Sequence, residues 1–194
     1  SLWLYTGTGD YERIGSTNTG TDNLMLGISD PHYPAYRDVA VATKASDLTN
    51  CKNTTKDTTG AKCPQTPKDV GWYITLDDFQ KVTAEPTVSS GLVYFPIYKP
   101  SSSVNKCSLG DAFICGVDDE CGTNVSNKLG SFRNKKDTCM YVGQGVLSRI
   151  VVYANKLFAN IAGQSTNAQK KDLVVLDAAA GGTSSYRSSW RQNY

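Results

Sequence analysis

The chain has one histidine, three glutamates among its 18 acidic residues, and no apolar run approaching the roughly 20 residues of a membrane-spanning helix. Each scarcity excludes a class of function. A Ser-His-Asp triad needs a histidine held between acid and nucleophile. Here His32 lies in Asp30-Pro31-His32-Tyr33-Pro34, a turn-like stretch with proline on both sides, and reads as a loop residue. A glycosidase needs two carboxylates at a set separation. Glu85 precedes Pro86, Glu120 abuts Cys121, and neither they nor Glu12 form a spaced pair. A net charge of +2 with scattered Lys and Arg gives no concentrated basic face for nucleic acid. The short cluster Arg133-Asn134-Lys135-Lys136 reads as a solvated loop. Gly7-Thr8-Gly9-Asp10 is not followed by the helix and lysine of a phosphate-binding loop, so it reads as a tight turn.

What is present begins with six cysteines, at Cys51, Cys63, Cys107, Cys115, Cys121 and Cys139. None forms a Cys-x-x-Cys pair and none has a neighbouring histidine, so metal ligation gives way to disulfides formed in an oxidising compartment. Sequence alone does not choose among the possible pairings. The expected set is Cys51–Cys63 closing one loop, Cys115–Cys121 closing a tight turn, and Cys107–Cys139 tying a longer insertion.

Helical periodicity is scarce, and short β-branched and aromatic runs alternate with Gly, Pro, Ser, Asn and Asp clusters, which predicts an all-β domain. The runs repeat. At an offset of 64 positions, Val82 to Tyr94 aligns with Val146 to Phe158. Apolar meets apolar at Val82/Val146, Val88/Val152, Val93/Leu157 and Tyr94/Phe158, and Gly91 meets Asn155 where a turn must fall. A second element follows, an apolar strand ending in aspartate: Asn23 to Asp30, Phe113 to Asp118, and Leu173 to Asp177. Each aspartate reads as a turn former bonded to its own backbone. Leu2 to Tyr5 then reads as the closing strand of a hairpin whose beginning is missing.

These units, 1–70, 71–138 and 139–194, predict one all-β domain or domain fragment: a partial, about three-blade modified β-propeller with long disulfide-stapled loop insertions. Three blades do not close a ring, which takes about four to eight. More chain upstream, or a separate chain, is expected at the sheet edge near Leu2–Tyr5. No signal peptide precedes Ser1, so the sequence reads as a mature or processed piece.

Several stretches carry a family resemblance in order along nearly the whole chain. Trp3-Leu4-Tyr5-Thr6-Gly7-Thr8-Gly9-Asp10 resembles the "(W)xYFGTG" stretch of the PilC/PilY family of type IV pilus biogenesis factors and tip adhesins. Gly71-Trp72-Tyr73-Ile74-Thr75-Leu76 is similar to its "GWYIDL" strand. Lys81 to Pro86 with Gly91 to Phe95 looks like its "RVLTEPLV…GGVVYFTTY" stretch. Cys107-Ser108-Leu109-Gly110 sits where the family has "PCSPGG", and Ser189-Trp190-Arg191-Gln192 resembles its "SWRQ" ending. The resemblance implies the last portion of a C-terminal propeller in a large exported protein, extracellular or at the cell surface and associated with a pilus. It implies adhesion and pilus assembly, with pilins or minor pilins and a surface or host-cell ligand as partners. The family's Asp-rich calcium loop is absent, since Asp118-Asp119-Glu120 has adjacent carboxylates and is followed by Cys121.

The expected function is therefore a non-catalytic adhesion and assembly module, with no cofactor, metal, nucleic acid or membrane span. A structural piece that completes a propeller or coats a filament is the alternative. A fragment of an exported quinone-type propeller enzyme is the second, and it would need a closed ring and charged ligands that three units do not supply. Tyr11, Tyr33, Tyr36 and Tyr98 lie in polar or proline-rich stretches and are the expected adhesive surface.

Overall fold

The computed structural model describes residues 2–9, 12–17, 22–30, 33–34, 43–51, 70–77, 79–102, 108–122, 138–165 and 172–178. Twelve strands run through them: β1 (Leu2–Gly7), β2 (Leu24–Asp30), β3 (Thr49–Asn50), β4 (Gly71–Thr75), β5 (Lys81–Val82), β6 (Thr87–Ser89), β7 (Leu92–Lys99), β8 (Asp111–Asp118), β9 (Cys139–Leu147), β10 (Val151–Tyr153), β11 (Lys156–Ser165) and β12 (Leu173–Asp177). A single 3-10 turn, Ala45–Asp47, is the helical element among the described residues. The fold is all-β.

The two hairpins aligned at 64 positions are present. β6 and β7 turn through Ser90 and Gly91, with φ of 56° and 76°, and β10 and β11 turn through Ala154 and Asn155, with φ of 47° and 58°. Positive φ at both central residues gives the turn a twist that matches its flanking strands, and this is why two-residue hairpins favour it. The strand ending in aspartate then pairs antiparallel with the second hairpin strand, β8 on β7 and β12 on β11, as β2 does on β1. At Asp118 the carboxylate accepts from the backbone N–H of Glu120 and Cys121, at 3.1 and 3.0 Å, so this aspartate shapes its turn as its position predicts. At Asp177 the carboxylate pairs with Lys156.

The strand that follows each of these units crosses into the next. β9 pairs with β8 through Cys139 to Gln144, then with β11 through Gly143 to Leu147. The same role is split between β4, which pairs with β2, and β5, which pairs with the far end of β7. The strand order is therefore β1-β2-β4-β3 in a four-stranded sheet and β10-β11-β9-β8-β7-β5 in a curled eight-stranded one, with β6 on β7 and β12 on β11. This is a partial propeller of about three small sheets, here called the first (β1, β2, β4, β3), the middle (β6, β7, β8 and the start of β9) and the third (β10, β11, β12).

Two apolar layers hold the sheets together. One packs Met25, Trp72, Trp3 and Tyr5 of the first sheet against Val93, Phe95, Ile97, Cys115 and Val117 of the middle one. The other packs Leu92, Tyr94, Ala112 and Ile114 from the opposite face of the middle sheet against Ile150, Leu157, Ala159, Ile161 and Val174. Alternate residues of β7 thus enter alternate layers. The run Leu92 to Ile97 is apolar throughout because both of its faces are buried. Pro96 is tolerated in this central strand because it falls between the reach of β6 and that of β5, and its carbonyl accepts from Thr83 N–H at 3.2 Å. Thr83 and Thr87 hydroxyls donate to the carbonyls of Leu147 and Ile150, at 3.2 and 2.6 Å, and stitch the middle unit to the third.

Two expected disulfides are corrected. Cys115 pairs with Cys139, not with Cys121, and Cys139 is therefore not the partner of Cys107. The reason is register: β8 and β9 place Cys115 directly opposite Cys139, with a Cα–Cα distance of 4.0 Å. Cys121 is itself disulfide-bonded and lies past the turn that ends β8. Cys51 is buried with its sulfur 3.1 Å from the Cys121 carbonyl oxygen. Cys63 and Cys107 lie outside the described residues.

Candidate functional site: the outer faces and an aromatic junction

The first and middle sheets meet at an aromatic junction. Trp3 stacks on Tyr5 at 6.0 Å between ring centroids, and Tyr5 leans on Trp72 at 6.2 Å. The turn after β8 lies over these rings. The carbonyl of Asp119 accepts from Trp72 Nε1–H at 2.8 Å and from the Tyr5 hydroxyl at 3.2 Å. Burial, reinforced by the neighbouring carboxylates of Asp119, Glu120 and Asp118, pushes the Tyr5 hydroxyl well above its ordinary range. Burial and then Asp118 and Glu120 likewise raise the Asp119 carboxyl. A carboxylate whose pKa is raised in the folded state disfavours folding once ionised, so stability falls as pH climbs through that pKa. Asp119→Asn is therefore expected to leave stability unchanged below the usual carboxylate range and to raise it at neutral pH, as thermal melts at pH 3 and pH 7 would read.

The junction is a structural seam. Among the described residues no group of three or more His, Cys, Asp or Glu is placed to hold a metal ion. Asp118 and Asp119 are engaged by their own turn, and the two tryptophans lie inside the layer.

The four expected adhesive tyrosines fare differently. Tyr33 is exposed, at 56%. Tyr98 is corrected: it is 7% exposed, because its proline-rich stretch is the continuation of β7 rather than a loop, and its hydroxyl accepts from Gly110 N–H at 3.3 Å. Tyr11 and Tyr36, like His32, lie outside the described residues. The most exposed aromatic among the described residues is one the sequence reading passed over, Tyr153, at 73%, on the edge strand β10. Its signal was available, since it immediately precedes the hairpin turn at Ala154-Asn155 and alternates with the inward Val152.

Tyr153 belongs to the outer face of the third sheet. Residues directly opposite one another in an antiparallel pair share a face. Val151, Phe158 and Val175 line up across β10, β11 and β12, and Tyr153, Lys156 and Asp177 form the next row. The face is apolar at one row and carries a tyrosine and an ion pair at the other. That mixture suits a contact that is made and broken in water.

No family model matches the chain, and no curated protein matches it. Among solved structures it resembles the crystal structure of the Pseudomonas aeruginosa PilY1 C-terminal domain, with a TM-score of 0.53 and 14% sequence identity. The match covers 90% of this chain and 41% of that one, so the chain spans less than half the length of the domain it matches. Over nine-tenths of its length, then, the chain shares the fold of part of the PilY1 C-terminal domain.

Proposed function

We propose that the chain is a non-catalytic adhesion and assembly module of a type IV pilus, exported and displayed at the cell surface. The observation that supports this most is the shared fold with the PilY1 C-terminal domain. It is joined by the ordered sequence resemblances at Trp3 to Asp10, Gly71 to Leu76 and Lys81 to Phe95. Disulfide bonding at Cys115 and Cys139 fits an oxidising compartment. Pilins or minor pilins and a surface ligand are the partners this role requires. The outer face of the third sheet, with Tyr153 and Val151, is the contact surface of choice because tyrosine joins a large apolar area to a hydrogen-bonding tip.

The purified chain is expected to sediment with isolated type IV pilus filaments. Tyr153→Ala is expected to weaken that co-sedimentation about tenfold, in the range of an interface hot spot, while leaving the thermal melt unchanged. Failure of the wild-type chain to sediment with filaments from any piliated source would contradict the role. Sedimentation that Tyr153→Ala leaves intact would move the contact elsewhere.

A further inference from the structure

The stretch Gly7-Thr8-Gly9 lies directly against β5, and a side chain of β5 reaches the loop beyond it. A Cβ at Gly7 would fall 2.3 Å from Val82 Cβ, and one at Gly9 would fall 3.0 Å from Lys81 Cβ. The two glycines thus let the chain leaving β1 pass close over β5, where Val82 N–H donates to the Thr8 carbonyl at 3.2 Å. Thr8 also closes the base of the loop. Its N–H donates to the Leu24 carbonyl at 2.8 Å, and its hydroxyl accepts from Leu24 N–H at 2.7 Å. Beside it, Asn23 Nδ2–H donates to the Gln80 carbonyl at 2.8 Å.

Lys81, in β5, is a charged residue only 4% exposed. An ammonium taken out of water needs acceptors in its place. Lys81 Nζ donates to the Ser16 carbonyl at 2.8 Å and to the Arg13 carbonyl at 3.3 Å. The Arg13 carbonyl also accepts from Ser16 N–H at 2.9 Å, so the turn from Glu12 to Ser16 closes around the ammonium. Glu12 and Arg13 are themselves exposed. The turn lies between β1 and β2 of the first sheet and the lysine in β5, on the edge of β7, so the contact joins the two units. An apolar side chain of similar length would fill the same space with no charge to desolvate. What the ammonium adds is a hold on two particular carbonyls.

We propose that Lys81 is a latch that sets the shape of the Glu12–Ser16 turn, and that releasing it opens the turn while the loop base and the sheets stay in place. The base has its own contacts, Thr8 with Val82 and Leu24 and Asn23 with Gln80, and none of these uses the Lys81 side chain. The first and middle sheets are held by the layer around Trp72. Arg13 reports the state of the latch. It is exposed, yet the carbonyl of its peptide bond to Ile14 is held by both Lys81 and Ser16. A protease must draw out several residues of chain, so cleavage at this bond reads local opening of the turn. The inference rests on the fold and is independent of the pilus role.

The test follows cleavage of the 194-residue chain between Arg13 and Ile14 by an arginine-specific protease, counted by mass after an acid quench. Lys81→Met is expected to speed this cut by about tenfold or more, the scale of losing hydrogen bonds to a charged group. Lys81→Arg keeps a cation and is expected to restore most of the resistance. In Lys81→Met the near-ultraviolet circular dichroism and the slow hydrogen exchange of Val82 N–H are expected to persist. A cut no faster than in the wild type overturns the proposal. So does loss of protection at Val82 or failure of Lys81→Met to fold, since Lys81 would then hold the whole seam rather than one turn. The wild-type chain gives a second reading by reductive methylation, in which Lys81 is expected to react about tenfold or more slowly than the exposed Lys44. Equal rates at the two lysines would overturn the proposal without any variant.

Discussion

Trp72→Ala is expected to destabilise the chain by about 3–5 kcal/mol, the usual cost of truncating a fully buried tryptophan. Trp72 has no exposed surface and touches both sides of the seam between the first and middle sheets. Its indole lies between two glycines. A Cβ at Gly27 would fall 2.4 Å from Trp72 Cε2, and one at Gly122 would fall 2.4 Å from Trp72 Cδ2. Gly122 also holds φ at +64°, where a side chain adds strain. Truncation removes the ring that fills this slot and one of the two donors to the Asp119 carbonyl, loosening the turn over Tyr5. Gly122→Ala should approach the same loss from the other direction, by overpacking. Urea denaturation checks both, and a loss below about 1 kcal/mol for Trp72→Ala would mean that the two sheets do not share a packed layer.

The second large effect is expected at the disulfide. Cys115 and Cys139 lie 24 residues apart in sequence, and their bond closes a loop containing the long polar insertion between β8 and β9. Restricting the unfolded chain in this way typically contributes about 2–4 kcal/mol. The paired Cys115→Ala/Cys139→Ala variant, which avoids leaving one thiol to mispair, should lose about that much and unfold at lower urea. The native chain treated with reductant should move in the same direction. Peptide mapping without reduction should recover the Cys115 and Cys139 peptides as one species. If it instead links Cys115 to Cys121, the register of β8 against β9 is wrong.

How much of this was readable in the residues depends on the range of the interaction. The hairpins at Ser90-Gly91 and Ala154-Asn155 were readable because a two-residue turn is local, and the offset of 64 placed both together. The strands ending at Asp30, Asp118 and Asp177 were readable for the same reason. The cysteine pairing was not. It depends on the chain leaving β8, passing through an insertion, and returning with Cys139 opposite Cys115. Proximity in sequence favours Cys115 with Cys121, but the β8 turn carries Cys121 onward toward Cys51 instead.

Tyr98 was misplaced because proline at Pro96 and Pro100 usually marks a loop, and the gap between β6 and β5 that accommodates Pro96 is a tertiary feature. Tyr153 was overlooked for the converse reason: a β-branched run reads as core, and only the position of β10 at a sheet edge exposes its alternate residues. Nor does composition alone tell β1 from β7. Both read as apolar throughout, and the packing layers are needed to show that one is covered on two faces by described residues and the other on one.

A pilus role makes its most direct demand on cells. Deleting the coding region for these 194 residues from a piliated producing strain is expected to reduce surface pili counted by electron microscopy and attachment to abiotic or host-cell surfaces together. Re-expression of the intact region should restore both. Unchanged pili and unchanged attachment in the deletion strain would contradict it.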